Sequence, residues 1–134
     1  MAVTDHERRS VIAVVDDDRR VLESLEILLD SADYDGRLFP TGAALLESGE
    51  LPEIDCLISD VAMPVMDGFA LAKAVWAMRP DLPVILITGR PELQHRSPPG
   101  GRGPYRVFKK PFNGQELLTA VREALQAPRR HTPS

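Results

Sequence analysis

The sequence predicts an α/β fold: a doubly wound, five-stranded parallel sheet with helices on both faces. Three observations carry this expectation. Short apolar runs rich in β-branched residues recur, and each stops at a polar residue, as strands buried on both faces do. Stretches with apolar residues at helical spacing lie between them. The two kinds alternate, with one intervening helix in doubt, and that order calls for crossover connections between parallel strands.

The elements follow in order. Residues 1–10 are polar and read as a flexible arm. "VIAVV", Val11 to Val15, is the first strand, ended by three aspartates. In "RRVLESLEILLDSA" Val21, Leu22, Leu25, Leu28 and Leu29 share one helical face, and Asp17 or Asp18 is placed to cap it. "GRLF" is a short strand. "TGAALLESG" is a short helix with Thr41 as N-cap and Gly49 as its stop. "IDCLIS" is a strand that ends at Asp60. "DGFALAKAVWAMRP" is a helix that must stop near Pro80. "PVILIT" is a strand ending at Thr88, and "YRVFKK" a last strand ending at Lys110-Pro111. "NGQELLTAVREALQ" closes the domain at about residue 126. Asn113 caps it, Glu116 stands in capping-box position, and Leu117, Leu118, Val121 and Leu125 form its apolar face. Residues 11–126 are thus the folded unit and 127–134 a tail.

Between the last two strands, "GRPELQHRSPPGGRGPY" is rich in proline and glycine. Proline costs about 3 kcal/mol inside a helix and glycine about 1. The fourth helix is therefore expected to be short or replaced by an irregular loop through about residue 104.

Bulk properties bound the function. Apolar residues make up 43% of the chain and charged residues 27%, as in globular domains. The net charge of -4 argues against direct binding of nucleic acid. Cys56 is the single cysteine, so no internal disulfide forms and it reads as a small buried hydrophobe. No apolar run reaches the roughly 20 residues of a membrane span, and the start lacks the apolar core of a signal peptide. These features point to a cytoplasmic chain without membrane contact. Trp76 and Met78 read as packing residues, His6, His95 and His131 as solvated histidines, and the Arg-Arg pairs at 8–9, 19–20 and 129–130 as solvated charges.

In parallel sheets, ligands bind beyond the carboxyl ends of the strands. The strand tips here are Asp16-Asp17, Asp60, Thr88 and Lys110. Three carboxylates brought together raise one another's pKa unless a cation joins them. Mg²⁺ suits such a site, because it takes oxygen ligands and keeps several waters. Lysine and threonine add a charge and a hydroxyl for phosphoryl oxygens. These are the parts for phosphoryl transfer to a carboxylate nucleophile.

"VVDDD", "LISDVAMPVMDG", "PVILITG" and "KKPF", in this order and spacing, resemble the receiver domain of two-component response regulators over roughly Val11 to Leu125. The resemblance implies a flavodoxin-like sheet of order 2-1-3-4-5. It implies Asp60 as phospho-acceptor and Asp16, Asp17, Asp60 and the Ala62 backbone carbonyl as Mg²⁺ ligands, with Mn²⁺ as a substitute. Thr88 and Lys110 would bind the phosphoryl group, Thr88 also reporting its presence. Pro111 would follow Lys110 through a cis bond, Gly68 would shape the loop beside Asp60, and Gly89 would leave the phosphoryl group uncrowded. The donor would be a sensor histidine kinase or a histidine phosphotransfer protein, and the output protein is unknown. Such a domain catalyses only its own phosphorylation and dephosphorylation.

Two departures stand out. One is the proline- and glycine-rich segment. The other is Val107, where the family usually places an aromatic switch residue. Tyr105 shares its face, whereas alternation turns Phe108 to the other. The departures favour a phosphorylation response carried by residues 89–104, and they keep a phosphorylation-independent interaction module as the alternative. A hydrolase of the haloacid-dehalogenase kind fits less well, because Arg20 stands where it needs a small residue and "SDVAMPVMDG" goes unexplained. The tail ends soon after the last helix, so the expectation is either a single-domain regulator acting by protein contact or a piece of a longer protein.

Overall fold

A computed structural model describes residues 9–90 and 105–126. The elements are β1 (Val11–Val15), α1 (Arg19–Ser31), β2 (Asp35–Phe39), α2 (Gly42–Glu47), β3 (Cys56–Asp60), α3 (Gly68–Met78), β4 (Val84–Thr88), β5 (Tyr105–Lys109) and α4 (Gly114–Gln126), with a 3₁₀ turn at Leu51–Glu53. The strands form one sheet of order β2-β1-β3-β4-β5, and every pairing is parallel. The flavodoxin-like order expected from the sequence is therefore the observed one. The expected loop at 89–104 (beyond Arg90), the tail, the three histidines and most of the N-terminal arm lie outside the described residues.

Strand alternation builds the two layers of core. Ala13, Val15, Leu57, Val84 and Leu86 face α2 and α3, where Leu45, Phe69, Leu71, Val75 and Trp76 meet them. Ile12, Val14, Cys56, Ile58, Ile85 and Ile87 face α1 and α4, against Leu22, Leu25, Leu29, Leu117 and Val121. Val107 joins the first layer and Phe108 the second, as the alternation predicts.

The caps are local chemistry. Asp18, rather than Asp17, caps α1 by accepting from the Arg20 N–H, and Thr41 caps α2 by accepting from the Ala44 N–H. Asn113 accepts from the Glu116 N–H to start α4. Gly49 ends the α2 segment at φ +77°, a backbone that glycine enters without strain. Two expectations are corrected. Met78 is 62% exposed at the end of α3 and does not pack, because it lies beyond the helix's apolar face. Arg9 is not simply solvated: its guanidinium donates to the Asp33 and Tyr34 carbonyls in the turn after α1 and pairs with Asp30 on the helix's last turn.

Trp76 is buried, and its Nε1–H donates to the Leu82 carbonyl at 2.7 Å, tying α3 to the start of β4. Trp76→Phe is expected to destabilise the fold by about 2 kcal/mol, from the lost bond and ring volume. The shift in urea midpoint measures it. Among the described residues no helix is long and apolar enough to cross a membrane.

Candidate functional site

Two strand tips deliver the acidic residues. β1 ends its apolar run at Val15, so Asp16 is the first residue past the buried strand, and it is still 3% exposed. Asp17 is exposed beside it. β3 ends in Asp60, 6% exposed. Oxygens of Asp16, Asp17 and Asp60 all lie within 4.8 Å of one another.

Asp16 is held in place by its own turn. Its N–H donates to the Phe39 carbonyl at 3.2 Å, and its Oδ1 accepts from the Asp18 N–H at 2.8 Å. Burial pushes the Asp16 carboxyl up to about 6, while the Asp18 N–H pulls it down; the neighbouring Asp60 charge adds to the rise, Lys110 opposes it and Asp17 adds a little more. The cluster thus carries a standing electrostatic cost in the bare protein.

Lys110 enters from the opposite flank. Its backbone N–H donates to the Thr88 carbonyl at 2.7 Å, and its Nζ pairs with Asp60 Oδ1 at 2.9 Å. Burial alone would lower the lysine's pKa, but the bond to Asp60 and the charges of Asp60, Asp16 and Asp17 raise it. The Lys110-Pro111 peptide is cis. Thr88 ends β4 fully buried, and its Oγ1 accepts from the Arg90 N–H at 3.0 Å.

The remaining expected residues differ in how the structure uses them. At Gly68 an added Cβ would stand 2.6 Å from the Asp60 carbonyl oxygen and 2.9 Å from Val61 Cα, so glycine is what lets α3 start against the tip of β3. At Gly89 an added Cβ would meet nothing within 4 Å among the described residues. Ala62 lies exposed on the rim one residue past Val61. Val107 is half-buried under the α2–α3 layer.

Some contributors were not read from the sequence. Ser59, wholly buried, donates to the Asp60 carbonyl at 2.9 Å. Asp67 caps α3 through the Ala70 N–H at 2.8 Å; its place before Gly68 and a run of helix formers was the available signal. Val65 holds φ +70°, which nothing in its residue type announces.

A parallel α/β domain with clustered carboxylates, a threonine and a lysine at the carboxyl edge of its sheet falls in the doubly wound class whose sites lie at that edge. More closely, the chain belongs to the response regulator receiver domain family, whose model matches residues 12–122. The DNA-binding transcriptional regulator NtrC of Bradyrhizobium sp. (strain RP501 Parasponia) is 36% identical over 123 residues, which are 92% of this chain and 26% of that protein. The response regulator protein TodT of Pseudomonas putida is 33% identical over 120 residues, 90% of this chain and 53% of that protein. The chain therefore spans about half or less of these curated relatives. Among solved structures, the response regulator protein TrrA from Thermotoga maritima, in complex with Mg²⁺-BeF, aligns with a TM-score of 0.76 and 26% identity over 87% of this chain and 99% of that one. The exclusion of nucleic acid drawn from net charge is not supported by these relatives, since one is named DNA-binding.

Proposed function

We propose that Asp60 accepts a phosphoryl group from a phosphohistidine, carried by a sensor histidine kinase or a histidine phosphotransfer protein, and that residues 11–126 are the receiver unit that does so in the cytoplasm. The observation that carries this reading is the 2.9 Å Lys110–Asp60 pair set in a cluster of three carboxylates. An Asp60 oxygen would attack phosphorus, forming an O–P bond as the N–P bond to histidine breaks, with the electron pair and then a proton going to the imidazole nitrogen. Lys110 would then turn from the carboxylate to a phosphoryl oxygen, and the Thr88 hydroxyl would donate to another such oxygen.

The donor set fits a hard divalent cation: all its side chains offer carboxylate oxygens, and burial, with the Asp60 charge beside it, raises Asp16 to about 6, a cost that a bound cation would offset. Asp16, Asp17, Asp60 and the Ala62 carbonyl would hold Mg²⁺, or Mn²⁺ by the same oxygen donors. When bound, it would supply charge against the carboxylates and the phosphoryl oxygens. The chain acts on no separate substrate in this reading; it promotes its own phosphorylation and dephosphorylation. An interaction module without this chemistry would carry the cost of Asp16 burial to no end.

Intact mass after incubation with acetyl phosphate and Mg²⁺ tests the proposal. The expected result is a gain of one phosphoryl group that needs Mg²⁺ and is absent in Asp60→Asn. No gain from either acetyl phosphate or a phosphohistidine donor would contradict it.

A further inference from the structure

Pro64, Val65 and Met66 form a three-residue turn, closed by the Met66 N–H donating to the Pro64 carbonyl at 2.7 Å with Val65 at φ +70°. A γ turn of positive φ is rare and strained, and a β-branched residue is poorly suited to that backbone. Packing does not account for the valine, whose side chain stands wholly in solvent.

The surroundings hold the turn from both ends. Upstream, the Met63 N–H donates to the Val61 carbonyl at 3.1 Å; downstream, the Gly68 N–H donates to the same carbonyl at 2.9 Å, and Asp67 is fixed as the α3 cap. Met66 reaches α2: a Cβ on Gly42 would stand 2.9 Å from Met66 Sδ and 3.2 Å from Leu71 Cδ1. The loop that leaves Asp60 therefore ends pressed against the first residue of α2, with no slack between them.

We infer that the loop 61–67 is a strained lever coupling the state of Asp60 to α2 through Met66. The inference rests on the proposed chemistry at Asp60. A group bonded to Asp60 claims room at the upstream end of the loop. The strained turn is the part that yields, Met66 shifts, and the contact at Gly42 opens. Tightly packed contacts move between discrete arrangements rather than deforming smoothly. A helix of 6 residues has little stability of its own, so α2 responds strongly to the loss of one packing partner.

Hydrogen exchange of residues 42–47 in the full chain tests this, with and without Mg²⁺ and beryllofluoride as the phosphoryl mimic, while ¹⁹F NMR follows mimic binding independently. In the wild type at saturation, exchange should quicken by about threefold or more as local opening becomes easier. Met66→Ala should still bind beryllofluoride and lose that response. Val65→Gly should melt about 4 °C higher and show a weaker response. Bound mimic with unchanged exchange in the wild type, or an equal response in Met66→Ala, would overturn the lever. Absence of any bound ¹⁹F signal would overturn the reading of Asp60, and the lever with it.

Discussion

Asp16→Asn is expected to stabilise the metal-free protein at pH 7 by about 2 kcal/mol while lowering its affinity for Mg²⁺ by about tenfold or more. The stability gain follows from the sign of the Asp16 shift. Its carboxyl is raised to about 6 in the fold from 3.8. The folded state thus binds the proton more tightly than the unfolded chain does. The favourable contribution of this group is fully present below about pH 4 and is lost as pH rises through about 6, a swing of about 3 kcal/mol. Asparagine keeps an oxygen for the Asp18 N–H, which Asp16 now satisfies at 2.8 Å, and has no charge to bury. Urea unfolding in chelator at pH 5 and pH 7 should show the wild type weakening across that interval and the variant holding steady. Saturating Mg²⁺ should then raise the wild type by about 1.4 kcal/mol or more beyond what it adds to Asp16→Asn, because binding to the native state alone stabilises by mass action. A variant less stable than the wild type in chelator at pH 7 would mean that the carboxylate is not under strain.

Gly68→Ala should destabilise by about 3 kcal/mol, an unusual loss for one methyl group. The reason is what the methyl meets. Its 2.6 Å and 2.9 Å neighbours are backbone atoms of Asp60 and Val61, which cannot rotate away as a side-chain tip can. Relief requires the start of α3 to lift from the tip of β3, and Asp60 sits on that tip. The variant should therefore also phosphorylate more slowly than its loss of stability alone explains. Rates of phosphoryl gain from acetyl phosphate, measured well below the melting transition, separate the two effects. Wild-type stability in Gly68→Ala would show that the close approach is not real.

The contrast between these positions shows what the sequence makes legible. Strands such as "VILIT" and caps such as Thr41 and Asn113 are local signals, and the structure bears them out. The grouping of Asp16, Asp17, Asp60 and Lys110 was also foreseeable, because a parallel sheet brings its carboxyl ends to one edge whatever their separation in sequence. Contacts set by tertiary approach were not. The distance from Gly68 to the Asp60 carbonyl, the Ser59 bond and the Met66–Gly42 contact depend on how α3 and α2 settle on the sheet. The φ of Val65 ran against its residue type, so propensity pointed away from it. Met78 misled because its neighbours on α3 are apolar, and only the helix's rotation on the sheet decides which of them are covered. Arg9 misled because a guanidinium in a polar segment reads as solvated until the carbonyls it donates to are in place.

Of the three clustered carboxylates, Asp60 is the proposed acceptor. Locating the phosphoryl group tests it most directly. Borohydride reduces an acyl phosphate to the alcohol, so treating the phosphorylated chain and sequencing its peptides by mass spectrometry marks the acceptor aspartate as homoserine. Homoserine is expected at position 60 alone, with Asp16 and Asp17 unchanged. Homoserine at position 16 or 17, or at an aspartate away from the crevice, would contradict it.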